Sequence, residues 1–269
     1  MIIDANKRSF LPDFKALFEY KDLLLTLSRR DFKVKYAQTA LGILWAFIQP
    51  VVTLIILSFV FGAIGVNTKT PHLLFTASGL SIWSYFAYVM TNSGNSIIAN
   101  QNMVKKIYFP RLIIPLSKAI VGFIDFGIAL LIMFFLMIYF RVPVSPNAWA
   151  TPLFILMGII AALGVGIWLS ALTVKYRDFQ HVVPFIVQIG MYVTPIAYPI
   201  DFITAKASWL STLYYMNPMT GVIQGFRWSL FGDDYPGNLM FISFGMILLI
   251  FSSGIMYFHK VEKEMADHV

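Results

Sequence analysis

The 269 residues comprise 58% hydrophobic and only 12% charged side chains, with a mean hydropathy of +0.74 and a formal net charge of +7. Soluble domains carry about 25% charged residues over roughly 45–50% apolar ones, so a water-soluble globule of this length is excluded. The absence of cysteine excludes disulfides, thiolate metal sites and thiol nucleophiles, and the positive charge has to be read by its position along the chain rather than as a nucleic-acid footprint.

Residues 1–36 are crowded with charge and have no apolar core near the start, which argues against a cleaved signal peptide. At about 100° per residue, Phe14, Leu17, Phe18, Leu24, Leu25, Phe32 and Tyr36 share one face, and Lys15, Glu19, Asp22, Arg30 and Lys33 the opposite one. The pattern predicts a cytoplasmic amphipathic interface segment lying against anionic headgroups, with Lys21 snorkelling from the apolar side; a plain topogenic basic anchor is the other reading.

Residues 36–68, 70–104, 142–174 and 235–259 contain no Lys, Arg, Asp or Glu, and each run exceeds the roughly 20 residues a helix needs to cross about 30 Å of hydrocarbon. Six spans are expected, at about 41–62, 79–98, 113–140, 150–174, 182–199 and 239–259. The fold class is therefore all-α and polytopic, with a six-span transmembrane domain over 37–259 and a cytoplasmic tail over 260–269. Residues 207–226 are also free of charge, but Asn217-Pro218 divides them into halves too short to cross. The segment from about 200 to 238 is accordingly expected to be a re-entrant or interfacial helical hairpin on the outer side, between the fifth and sixth spans. This arrangement puts 16 of the 20 Lys and Arg on one side and 4 on the other, so both termini are expected to be cytoplasmic.

Few residues carry chemistry. There is no Gly-Lys pair and hence no phosphate-binding loop, so ATP would have to bind another subunit. The four histidines are scattered without metal spacing, and no catalytic constellation is found. Asp233-Asp234, followed by Tyr235-Pro236-Gly237, reads as a solvated turn. Lys118 and Asp125, two turns apart on one helical face, read as a proton relay or as a structural contact between helices. Gly158, Ala162, Gly166 and Ser170 form a small-residue stripe that admits a closely packed helix, from this chain or from a second copy. Aromatics gather at Trp83, Tyr85, Phe86 and Tyr88 and again at Trp209, Tyr214, Tyr215, Phe226, Trp228 and Phe231. They serve as interfacial belts, or as a sliding surface for a sugar polymer.

Four blocks go beyond composition. They are Arg30-Asp31-Phe32-Lys33-Val34-Lys35-Tyr36 with Leu41-Gly42-Ile43-Leu44-Trp45 and Pro50; Lys105-Lys106-Ile107-Tyr108-Phe109-Pro110-Arg111 with Pro115-Leu116-Ser117; Tyr176-Arg177-Asp178-Phe179 with Tyr192-Val193-Thr194-Pro195-Ile196; and Asn217-Pro218-Met219-Thr220-Gly221 with Gly225-Phe226-Arg227. In this order and spacing the chain resembles the permease subunits of type-2 ABC exporters for polysaccharides, above all those that export O-antigen. The resemblance implies a homodimer joined to two ATP-binding subunits, which hold the ATP and magnesium, with no cofactor in this chain. It further implies export of an undecaprenyl-diphosphate-linked polysaccharide across the inner membrane of a Gram-negative bacterium, with membrane lipid and no nucleic acid among the partners.

Within that picture Arg29, Arg30, Lys33 and Lys35 lie where a lipid diphosphate would sit, and arginine can bind phosphate oxygens in pairs. Lys105, Lys106, Tyr108, Arg111, Arg177 and Asp178 are expected to contact the ATP-binding subunit, although an internal Arg177–Asp178 pair is the favoured alternative for those two. Trp83, Tyr85, Tyr88, Trp209, Tyr214, Tyr215 and Trp228 are expected along the glycan path and outer gate. Teichoic acid and capsule exporters, a membrane-embedded enzyme for lipid-linked sugars and a proton-coupled carrier depending on Asp125 remain alternatives.

Overall fold

A computed structural model describes residues 14–37, 41–204 and 209–262, and among them every regular element is helical. In chain order these are α1 (Phe14–Glu19), α2 (Lys21–Tyr36), a 3₁₀ turn Gly42–Leu44 leading into α3 (Trp45–Ala63), α4 (His72–Gly94), α5 (Ser96–Ala99), α6 (Gln101–Lys106) and α7 (Ile113–Tyr139). A second 3₁₀ turn, Pro146–Ala150, opens α8 (Thr151–Lys175), followed by α9 (Phe179–Val193), α10 (Asp201–Thr204), α11 (Trp209–Met216), α12 (Pro218–Phe231) and α13 (Met240–Glu262). Five helical stretches are long and apolar enough to cross a bilayer: Gly42–Ala63, His72–Gly94, Ile113–Tyr139, Pro146–Lys175 and Met240–Glu262. The chain is a multi-pass membrane protein.

Two expected spans differ in extent. The second begins at His72 rather than at 79, because the Pro71 carbonyl starts the helix by accepting from the amides of Leu74 and Phe75. The fifth, expected over 182–199, is helical only over Phe179–Val193; at Thr194 the backbone turns extended, ahead of Pro195. Residues 194–198 are nevertheless buried and run alongside the start of α4, where the Ala197 carbonyl lies 2.9 Å from His72 Nε2.

The hairpin segment breaks at Asn217-Pro218, as its sequence predicts. The Asn217 side chain accepts from the Met219 amide and Pro218 supplies the first helical residue of α12, which ends on Gly232 in the left-handed conformation at φ +74°. Expectation and structure part at the N-terminus. The predicted single helix is broken at Tyr20, and Phe18 and Leu25 of its apolar face are exposed. The face of α2 that packs against the bundle carries Leu24, Leu27, Ser28, Asp31 and Lys35, because α7 offers polar partners as well as apolar surface to it.

α4 is the central helix: 78% of its most apolar stretch is buried, against 17% for α3. It achieves this with small hydroxyl residues, Ser78 and Ser81 each donating to the carbonyl three residues earlier, so that neighbouring backbones approach without stranding a polar group. The Gly158/Ala162/Gly166/Ser170 stripe of α8 faces α4 within the same chain, where a Cβ on Gly166 would meet Ser93 Cβ at 2.9 Å. The opposite side of α8 packs equally closely on α13, through Gly164 against Phe251 and through Gly254 against the Gly164 carbonyl. A second apolar cluster, including Leu27, Phe109, Ile113, Ile167 and Phe258, closes the end of the bundle that carries α2, α6 and the C-terminus of α13. That end, rich in Lys and Arg, is called the basic end below, and the opposite one the hairpin end.

Candidate functional site

A cavity of about 620 Å³ opens between α3, α4, α7 and α9 in the half of the bundle nearer the basic end. Its walls combine Trp45, Trp83 and Tyr88 with the amides of Gln49 and Gln188, and its floor is the Lys35, Tyr36 and Asp125 group. The two helices bordering it, α3 and α9, turn large apolar side chains outward, among them Ile55, Ile56 and Phe59 on α3 and Phe185, Ile186 and Ile189 on α9. The cavity is thus a long aromatic trough beside two unpartnered apolar faces.

The floor is built by α2 docking on α7. Lys35 Nζ pairs with Asp125, whose other oxygen accepts from the Tyr36 hydroxyl, and the same ammonium stands 4.1 Å from the Tyr88 ring centre. Nearer the N-terminus of both helices, by one turn of α2 and two of α7, Lys118 Nζ lies 2.6 Å from Asp31, which also accepts from Arg30 at 2.8 Å; Arg30 reaches on to Asn100 at 2.9 Å. Ser28 adds a hydrogen bond to the Ser117 carbonyl at 3.3 Å. Lys118 and Asp125 therefore do not pair with each other, and a relay between them has no geometry to run through. Each is a contact between helices, made to a residue of α2.

This arrangement divides the four cations expected to read a lipid diphosphate. Lys35 and Arg30 are engaged by carboxylates of this chain, which compensate the charge a phosphate would otherwise meet. Arg29 and Lys33 are exposed and make no ion pair among the described residues. The predicted contacts for an ATP-binding subunit divide in a similar way. Lys105, Lys106 and Tyr108 are exposed at and just after the end of α6, and Arg177 and Asp178 are exposed at the α8–α9 turn, with no ion pair between them, contrary to the favoured reading of that dipeptide. Arg111 is taken up within the chain: its amide donates to Glu262 Oε1 at 3.1 Å and its guanidinium to the Glu262 carbonyl, tying the loop after α6 to the end of α13.

The predicted aromatics form separate groups rather than one path. Trp83 and Tyr88 lie midway along α4 and line the cavity, Trp83 so close to α9 that a Cβ on Gly190 would meet its ring at 2.8 Å. Tyr85 points away into the α4–α7 contact, stacked on Phe123 at 5.1 Å and beside Phe126. At the hairpin end Trp209 is exposed, the Tyr214 hydroxyl lies 3.5 Å from that of Tyr198, Tyr215 is buried, and Trp228 meets Phe154 and Tyr235 edge-on.

The residue whose role sequence reasoning missed is Arg227, which entered there as one of the four outer-side cations and as the last residue of the fourth block. It is fully buried, donating to Ser78 Oγ at 3.0 Å and to the carbonyls of Pro195, Phe75 and Ile196 at 2.9, 3.1 and 2.5 Å, with its guanidinium 3.5 Å from the Phe75 ring centre. It joins α12, the start of α4 and the turn after α9 at one point. The signal available in the sequence was a lone arginine within a charge-free helix next to a run of buried small residues.

The ABC-2 type transporter family model matches residues 22–231. An O-antigen export system permease protein RfbA of Klebsiella pneumoniae is 33% identical over 253 residues, covering 91% of this chain and 94% of the relative; a second from the same organism is 32% identical over 252 residues with the same coverage. The O-antigen export system permease protein RfbA of Myxococcus xanthus is 24% identical over 258 residues, 95% of this chain and 98% of the relative. The matched region takes in α2, the cavity, both exposed turns of the basic end and Arg227, and the chain belongs to the ABC-2 type transporter family.

Proposed function

We propose that this chain is the membrane subunit of an ATP-driven exporter that moves an O-antigen-type polysaccharide, carried on undecaprenyl diphosphate, across the bacterial inner membrane. The observation that carries this reading is the aromatic-walled cavity beside the outward apolar faces of α3 and α9, in a chain whose relatives are named O-antigen export permeases. A second copy packed against those faces would close the trough into a conduit. Trp83 and Tyr88 then offer flat apolar surfaces on which successive sugars slide, since conduction requires that no site hold its cargo too firmly.

The chain does not split ATP itself in this reading; ATP and magnesium belong to two copies of a separate subunit docked on Lys105, Lys106, Tyr108, Arg177 and Asp178. Arg29 and Lys33, exposed on α2, meet the lipid diphosphate, while Arg30 and Lys35 hold α2 on α7. Six crossings with both termini in the cytoplasm are supported by the course of α9. It leaves the basic end after α8, and the buried segment 194–198 carries the chain on to the start of α4, so its 15 helical residues, about 22 Å long, need not span the bilayer alone.

The test is export in cells lacking the chromosomal copy. The wild-type chain with its ATP-binding partner is expected to restore surface glycan, and the Lys105→Glu/Lys106→Glu double variant to accumulate at normal abundance without restoring it. Single cysteines at Lys106 and Asp234 are expected to label from opposite faces of the membrane. Surface glycan that is independent of the chain, or labelling of both cysteines from one face, refutes the reading.

A further inference from the structure

A second cavity, of about 380 Å³, lies at the hairpin end, within the size range of small-molecule sites. Two stretches distant in sequence line it: the loop before α4 with the start of α4, and the run from α10 through the α11–α12 pair to the loop after α12. Gln224 of α12 is the informative residue. The residue is only 9% exposed, it lines this cavity, and its side chain makes no hydrogen bond among the described residues. Its amide nitrogen and oxygen open onto the cavity rather than being sealed in the interior, so their hydrogen bonds are left for water or a ligand to supply. Around it stand the carboxylates of Asp201 and Asp233 and the rings of Tyr215 and Tyr235, the latter held edge-on against Trp228 at 5.2 Å.

We propose that this cavity binds a neutral pyranose ring of the exported glycan as the glycan leaves the protein, an inference that rests on the export reading above. The chemistry matches point for point. An amide presents one acceptor and two donors and so answers the paired hydroxyls of a sugar, carboxylates accept from further hydroxyls, and tyrosine rings face the apolar C–H side of the ring. A divalent cation is disfavoured by the surroundings. Lys69 already pairs with Asp234 at 2.5 Å, and the Arg227 guanidinium lies behind Phe75. The carboxylates of Asp201 and Asp233 make the site reject acidic sugars. The inner cavity, by contrast, is aromatic with its one carboxylate paired, so weak sliding there and a fixed polar contact here are separate roles.

Saturation-transfer NMR on the purified full-length chain in lipid nanodiscs tests this with methyl α-D-glucopyranoside, methyl α-D-mannopyranoside and methyl α-D-galactopyranoside, and with methyl glucuronide as the acidic counterpart. Transfer to the ring protons of at least one hexoside is expected, with a weaker signal for the uronide. Gln224→Leu and Tyr235→Leu are each expected to weaken hexoside binding by at least about fivefold. Tyr235 is half exposed on a loop, so its variant reports even where the core substitution at Gln224 impairs folding. Absence of transfer from every hexoside, undiminished transfer in both variants, or loss of transfer on adding about 1 mM calcium overturns the proposal. Glycan export measured in parallel separates the two readings: a silent hexoside experiment beside normal export removes this site and leaves the exporter standing.

Discussion

The Asp31–Lys118 pair offers a quantitative test of how α2 is held. The two side chains are 11% and 15% exposed and 2.6 Å apart, whereas Arg30, which shares Asp31, is 46% exposed. Breaking a buried ion pair from one side costs about 3–5 kcal/mol because it strands a charge, and an exposed one about 0–1 kcal/mol. The residual exposure here puts the inner pair at the low end of the first range. Asp31→Asn leaves Lys118 with no carboxylate, so its expected cost is about 3 kcal/mol. Lys118→Gln leaves Asp31 still held by Arg30, so its expected cost is smaller, about 2 kcal/mol. The double variant buries no charge at this point and should cost no more than Asp31→Asn alone, a coupling of about 2 kcal/mol. Unfolding of the purified chain in detergent is the assay, with melting temperatures expected to fall by roughly 5–10 °C for Asp31→Asn, less for Lys118→Gln, and no further for the double variant. Costs that simply add, or a larger loss for Lys118→Gln than for Asp31→Asn, would refute the assignment of this network as the clamp between α2 and α7.

Three further outcomes follow from the packing. Gly225→Ala places a Cβ 1.9 Å from Phe154 Cε1 and is expected to lower stability by about 1–3 kcal/mol in a thermal-shift assay, with Phe154→Leu in the same chain restoring most of it. Arg227→Met strands the carbonyls of Pro195 and Ile196, at about 1–3 kcal/mol each, and Arg227→Lys recovers less than half because an ammonium cannot reach three segments at once; folded yield and melting temperature report both. Arg29→Gln combined with Lys33→Gln, at exposed positions, is expected to leave the melting temperature unchanged while reducing export of every lipid-linked glycan tried, whatever its repeat unit. A variant pair that changes which glycan is accepted would instead put selectivity in the trough.

The sequence by itself marked the five long apolar stretches that fold as helices long enough to cross a bilayer, because scarcity of charge over about 20 residues is a local requirement of hydrocarbon and leaves a local mark. It also determined the Asn217-Pro218 break and the small-residue face of α8, both consequences of single residues acting on their own backbone. Tertiary structure alone decided which cations remain available. Lys35 and Asp125 are 90 positions apart and Asp31 and Lys118 87 apart, and the sequence distinguishes neither pairing from Lys118 with Asp125 on one helix. It also decided which aromatics face a cavity. α4 is buried nearly all round, so periodicity carries no stripe to separate Trp83 and Tyr88 from Tyr85. The clearest case is the hairpin end, where Asp201 opens α10, Gln224 lies on α12 and Asp233 follows it in a loop. Only the packing of α12 against the start of α4, pinned by the buried Arg227, with α11 on α12 and α10 on α11, brings them to a common space, because a side chain's direction is set by what its backbone packs against.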